Sequence, residues 1–171
     1  RHVGKTLAER GIGVVYGGGK AGLMGAIAYS ALEACGEVIG VIPQALVDME
    51  VANHDCTELH VVDTMHQRKQ AFTDLSDGFV TLPGGVGTLD ELWEAVSWAQ
   101  LGYHQSPVGL LNAFGYYDGL LAFNRKMAEV GFVRPAHRDI LIVEDTLETL
   151  LEAMAAYEPI QTIVQMRAED L

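Results

Sequence analysis

The sequence predicts an α/β fold, a doubly wound parallel sheet with helices on both faces, and three observations carry that expectation. Short apolar, β-branched runs alternate with segments of helical length from one end to the other, which is the signature of βαβ units. Two loops that would follow strands are rich in glycine, Gly17-Gly18-Gly19 and Gly84-Gly85-Val86-Gly87. The chain has 171 residues with 49% hydrophobic content, enough for one well-filled core and too little for two ordinary domains. With no internal repeat and no Pro/Ser linker, residues 1–171 read as a single domain.

Taken in order, Arg1-His2-Val3-Gly4 lies inside a first helix. Strands are expected at Gly13–Tyr16, Val38–Ile42, Phe79–Leu82, Val108–Leu111 and Ile140–Val143. Helices are expected near Leu23–Ala34, Met65–Leu75, Thr88–Leu101, Tyr117–Val130 and Thr146–Tyr157, and periodicity fades from about Pro159 onward. In such sheets ligands sit beyond the carboxyl ends of the strands, so the loops after Tyr16, Ile42 and Leu82 are the candidate site.

Composition removes several classes. No apolar run reaches the roughly 18 residues of a membrane span and no signal-peptide pattern opens the chain, so a cytoplasmic protein is expected. Cys35 and Cys56 lack C-x-x-C spacing and the six histidines lack H-x-x-x-H spacing, so neither a disulfide framework nor a metal site is expected. A net charge of −12 argues against nucleic acid, whose phosphates need a basic stripe. Between Lys20 and Arg125 the only lysine and arginine are Arg68 and Lys69, so an anion held mid-chain must rely on them and on backbone N–H groups.

The run Leu82-Pro83-Gly84-Gly85-Val86-Gly87-Thr88-Leu89-Asp90-Glu91 joins a strand, a glycine loop, a helix start and a carboxylate. Gly84, Gly85 and Gly87 are expected to take positive φ and bring N–H groups close to a ligand. Leu89, Leu92, Val96 and Ala99 recur at helical spacing, so a helix beginning near Thr88 offers its free N–H groups and positive dipole end to a phosphate or carboxylate. The plainer reading is a capping box, Thr88-x-x-Glu91, that only satisfies the first turn.

The first loop contains G-x-G-x-x-G at Gly17, Gly19 and Gly22. It lacks the ribose-binding acid of a dinucleotide site after Ile42-Pro43-Gln44, and Gly19-Lys20-Ala21 fails as a P-loop. Gly18 and Gly19 are read as facing a nucleotide, against the alternative of a structural turn. Arg68 falls on the apolar stripe of its helix with Met65, Phe72 and Leu75. It is therefore aimed inward, either to grip an anion through its planar fork or to pair with a buried carboxylate. From the residues alone, Lys69 is a solvated lysine, Glu50 a loop carboxylate, Ser97 a helix hydroxyl, and Trp93 and Trp98 core or oligomer contacts.

Tyr16-Gly17-Gly18-Gly19 with Gly22-Leu23-Met24-Gly25, Val41-Ile42-Pro43, Met65-His66-Gln67-Arg68-Lys69 and Pro83-Gly84-Gly85-Val86-Gly87-Thr88-Leu89-Asp90-Glu91 together resemble the LOG family. These are the cytokinin riboside 5′-monophosphate phosphoribohydrolases, long mislabelled as possible lysine decarboxylases. The match runs from about residue 4 to residue 157. The resemblance implies a Rossmann-like fold, a homodimer, no cofactor and no metal. It implies hydrolysis of a purine nucleoside 5′-monophosphate, of N6-modified adenine or AMP type, to free base and ribose 5-phosphate. Carried over by position, it makes Arg68 and Glu91 the catalytic pair. Substrate contacts are Glu50, Lys69, the loop Gly85, Val86, Gly87, Thr88, Leu89, Asp90 and Glu91, and Ser97, where the family often has threonine. Family members carry an earlier strand and a Cys-Gly-Ser-type loop, so a missing N-terminal strand is expected.

The alternative class is a non-catalytic nucleotide or molybdenum-cofactor binding protein on the same fold, which would keep the glycine loops without requiring Arg68 and Glu91 together. A pyridoxal-phosphate decarboxylase would need a Schiff-base lysine, and neither Lys20 nor Lys69 has a motif for that role.

Overall fold

A computed structural model describes residues 1–49, 51–160 and 162. Its contacts divide the chain into two compact units, Arg1–Ser76 and Asp77–Leu171.

The first unit runs α1 (His2–Glu9), β1 (Val14–Tyr16), α2 (Gly22–Glu33), β2 (Val38–Pro43), α3 (Gln44–Val47), β3 (Glu58–Val62) and α4 (Met65–Leu75). Its strands pair in parallel in the order β1-β2-β3, with Tyr16 opposite Gly40 and Gly40 opposite Leu59. Val38, Val41 and Ile42 are sealed from solvent, as a strand paired on both edges and covered on both faces requires. Helices α1 and α2 meet at Gly4, where any Cβ would strike Ile27 O and Ser30 Oγ. Helix α4 starts on a full capping box: Gln67 N–H donates to Thr64 Oγ1 at 3.2 Å and Thr64 N–H to Gln67 Oε1 at 3.1 Å.

The second unit runs β4 (Phe79–Thr81), α5 (Val86–Leu101), β5 (Val108–Leu111), α6 (Asp118–Glu129), β6 (Leu141–Glu144) and α7 (Leu147–Ala155), with 3₁₀ turns at Ala113–Gly115 and Pro135–Ile140. The strands are again parallel, in the order β4-β5-β6. Leu92 and Ala95 of α5 pack with Val108, Leu110, Tyr117 and Leu141, and Leu89 and Val96 lie against the same cluster. The helical stripe expected for this segment is therefore the core face. Helix α5 ends at Gly102, whose left-handed φ of 92° lets its own N–H and that of Tyr103 return to Trp98 O.

Both units are α/β with parallel strands, as expected. Three local expectations change. The strand β3 and the short helix α3 are present without having been read from the sequence. Helix α5 begins at Val86 rather than Thr88, on an N-cap Gly85 with no side-chain cap, so the Thr88-x-x-Glu91 capping box does not form. Gly84, Gly85 and Gly87 do not take positive φ, which falls instead on Gly18 and Gly22 in the first loop. Most of the segment after Pro159 lies outside the described residues. No described helix is long and apolar enough to cross a membrane.

Candidate functional site

In the first unit the site residues are built around the end of β1. Arg68 is buried, the one residue of α4 so enclosed among those described, while Met65 and Leu75 on the same stripe stay open to solvent. What α4 turns inward is thus a guanidinium and not an apolar seam. Its Nε donates to Val41 O at 3.1 Å and its Nη2 to Gly17 O at 3.3 Å, and the group lies 5.1 Å from the centre of the Phe72 ring. Each charge-assisted bond to a carbonyl is worth about 1.5–3 kcal/mol, and the ring adds a further attraction. Any Cβ at Gly17 would overlap Arg68 Nη2, so a side chain here would have to displace the guanidinium.

The loop beyond Gly17 is stitched to residues 51–53. Lys20 N–H donates to Val51 O at 3.0 Å, Asn53 N–H donates to Gly18 O at 2.8 Å, and Gly19 bridges Ala52 in antiparallel fashion. Gly18 sits at φ +70° and, with Gly19, is buried. Asn53 also donates through Nδ2 to Tyr16 Oη at 3.0 Å, and that hydroxyl is 3.4 Å from Cys56 Sγ. Burial, together with the Cys56 contact, pushes the Tyr16 phenol above its ordinary range, with Asn53 opposing. Lys69 is half-buried, not solvated as its sequence position suggested. Glu50 lies outside the described residues.

In the second unit the chain leaves β4 at Thr81, passes Pro83 and turns through Gly84 into α5. A Cβ on Gly84 would strike the Thr88 side chain, whereas the space around Gly85 and Gly87 is open. The glycines here therefore serve by leaving room and not by adopting a left-handed backbone. Gly85, Val86 and Gly87 are exposed and Thr88 and Leu89 half-buried, so the uncapped first turn of α5 presents its backbone to solvent. Glu91 is half-buried in the second turn of the helix, and Asp90 is exposed beside it.

Two tyrosines hold this turn from behind. Tyr117 Oη donates to Leu82 O at 2.7 Å and Tyr116 Oη to Gly84 O at 3.0 Å. Sequence reading missed both, although their place directly after β5, in a loop at the carboxyl end of a strand, was a usable signal. Along α5, a groove of about 650 Å³ is lined by Val86, Leu89, Asp90, Trp93, Glu94 and Ser97, continuing past Trp98 and Leu101. Ser97 is thus on the groove side of the helix. Trp93 and Trp98 face this groove instead of filling the core.

Within the second unit, the exposed first turn of α5 thus lies one turn before the half-buried Glu91 carboxylate, and within the first unit two backbone carbonyls hold the buried Arg68 guanidinium. A family model described as "Possible lysine decarboxylase" matches residues 24–154. A probable cytokinin riboside 5′-monophosphate phosphoribohydrolase of Oryza sativa subsp. japonica, LOGL2, is 46% identical over 157 residues, 92% of this chain and 64% of the relative. The chain belongs to the LOG family.

The cytokinin riboside 5′-monophosphate phosphoribohydrolase LOG3 of Arabidopsis thaliana is 44% identical over 157 residues, 92% of this chain and 73% of that protein. The LOG-family chain spans a little under two thirds of the length of LOGL2 and of LOGL6, another rice relative, at 64% and 63%. Among solved structures, the molybdenum cofactor binding protein of Rippkaea orientalis superposes with a TM-score of 0.67 at 21% identity, covering 90% of this chain and 82% of that one. The molybdenum cofactor carrier protein of Chlamydomonas reinhardtii gives 0.65 at 19%, covering 91% and 85%. At these identities the structures establish the fold, a Rossmann-like α/β fold, and nothing of the ligand.

Proposed function

We propose that this LOG-family chain hydrolyses the N-glycosidic bond of a purine nucleoside 5′-monophosphate, of AMP or N6-modified adenine type. Water adds across the bond between C1′ and the base nitrogen: the sugar carbon takes the hydroxyl, the base takes the proton, and free base and ribose 5-phosphate leave. The observation that carries the reading is the uncapped first turn of α5, Gly85 to Thr88, with Glu91 one turn further along the helix. The LOG-type names of relatives at 44–46% identity support it.

Backbone N–H groups and the positive end of α5 suit a 5′-phosphate, which needs donors and positive potential in a chain of net charge −12. Bond breaking builds positive charge on the ribose ring. A carboxylate at Glu91 stabilises that charge or orients the attacking water. Arg68, with two of its donors held by Val41 O and Gly17 O, is assigned with Glu91 to the catalytic step as a fixed positive charge. Glu50, Lys69, Gly18, Gly19, Asp90 and Ser97 are assigned to substrate contact. We also assign the whole chain to one nucleotide-binding domain, a cytoplasmic homodimer in which the tryptophan-bearing α5 groove meets a second copy.

The test is to incubate the protein with AMP and with isopentenyladenosine 5′-monophosphate and follow free base by chromatography. Base release that falls about 10³-fold or more in Glu91→Gln is expected. Folded protein that binds AMP and releases no base from either nucleotide would establish instead a non-catalytic binding protein.

A further inference from the structure

We propose that Tyr116 and Tyr117 are positioning residues that aim the backbone amides of the Gly84–Thr88 turn at the phosphate of the substrate. The inference rests on the reading of that turn as the phosphate site, and it assigns a role to two residues outside every motif that carries the reading.

The geometry begins with the peptide unit. In a trans peptide the C=O and N–H point in opposite directions, and none of the described peptides is cis. Tyr116 Oη donates to Gly84 O at 3.0 Å, so it fixes the plane of the Gly84–Gly85 peptide and sends the Gly85 N–H the other way, off the side remote from Tyr116. This peptide joins two glycines, and beyond Gly85 and its chain neighbours no atom lies within 4 Å of where a Gly85 Cβ would be. A glycine–glycine unit in open space has little of its own to stop it rotating. The tyrosine hydroxyl supplies the restraint that side-chain sterics would supply elsewhere. Two peptides earlier, Tyr117 Oη holds Leu82 O at 2.7 Å, fixing the chain as it leaves β4 and enters Pro83.

The clamp is itself held. Tyr117 is buried, its N–H donates to Asn112 Oδ1 at 2.8 Å, and the buried Asn112 amide donates to Asp118 Oδ1 at 2.9 Å. The two rings meet edge to face at 4.8 Å. Burial raises the Tyr117 phenol above its ordinary range, so it remains a donor throughout the neutral range. Both hydroxyls thus connect the turn to a rigid element and spend their donors on carbonyls; the Tyr116 bond leaves the Gly85 N–H on the opposite side for a ligand, and the Tyr117 bond fixes the Leu82–Pro83 peptide from which the turn starts. A donor array fixed before the ligand arrives binds more tightly than one that must be ordered on binding.

The test is Tyr116→Phe, which removes one hydroxyl from a ring that is 57% exposed and so leaves packing intact. For AMP or the N6-isopentenyl nucleotide, KM is expected to rise about five- to tenfold while kcat stays within about twofold, the size of one lost hydrogen bond. Calorimetric titration separates positioning from general damage: ribose 5-phosphate should bind about five- to tenfold more weakly to the variant, and adenosine, which lacks the phosphate, equally to both proteins. Unchanged affinity for ribose 5-phosphate, or an equal loss for adenosine, overturns the clamp. Wild-type protein that releases no base from any nucleotide defeats the hydrolase reading alone, because the ribose 5-phosphate titration still decides the role of the tyrosine.

Discussion

The loop after β1 and the loop after β4 are similar in composition, yet one is filled from within and the other is left open. At Gly17 the missing Cβ is occupied by a guanidinium, and the following residues are buried and stitched to 51–53. At Gly85 and Gly87 the missing Cβ leaves empty space, and a tyrosine hydroxyl holds the turn at Gly84 O. A glycine-rich loop after a parallel strand therefore signals close approach without saying what approaches. In the first loop it is the protein's own arginine. In the second the space suits a ligand.

Substitutions to alanine break this comparison most directly. Gly17→Ala should have the largest effect, about 2–3 kcal/mol of stability lost in urea titration, because the new methyl must displace the buried Arg68 fork. Next come the two helix starts. Thr64→Ala removes a real cap from α4 and should cost about 1 kcal/mol, whereas Thr88→Ala, at a position that does not cap α5, should cost clearly less. Equal losses would restore the capping role of Thr88. Gly85→Ala, at φ −97° in open space, should change stability by no more than about 0.5 kcal/mol. A larger loss would reveal a contact that the open loop does not display.

The smallest effect concerns pH in the second unit. Burial lowers the pKa of His104, against its bond to Ala95 O. The unfolded chain then takes up the proton more readily than the folded one, so stability is full above the ordinary histidine value near 6.5. It declines as pH falls from there through the lower folded value. Unfolding midpoints measured between pH 7.5 and 5 should show this decline, and His104→Gln should flatten it.

The strands β1, β2, β4, β5 and β6 were legible because each is a short, largely apolar run carrying at least one β-branched residue. The strand β3, Glu58–Val62, was not, because it lies at one end of its sheet and carries Glu58 and His60, paired with each other at 2.9 Å on its exposed side. Helix α5 was placed two residues late because Gly87 is a poor helix former and Thr88 a tempting cap, while tertiary contacts let the helix start on Gly85. The inward turn of Arg68 was read correctly from spacing. Its partners were not, since Val41 and Gly17 are distant in sequence and backbone carbonyls carry no residue signature. Tyr116 and Tyr117 escaped for the same reason.

The fork of Arg68 has one more consequence, for the order in which the chain acquires its structure. It joins α4 to carbonyls 27 and 51 residues earlier. Contacts of that separation carry a loop-closure cost that local turns and helices do not. Until α4 docks, Gly17 O lacks the Arg68 partner, so the start of the first loop is expected to be among the last parts of its unit to become rigid during folding. By the same logic the loop's first peptide should be among the first to loosen: opening of α4 alone would release Gly17 O and free the Gly17–Gly18 peptide to move, while the Lys20 N–H stays bonded to Val51 O and exchanges later.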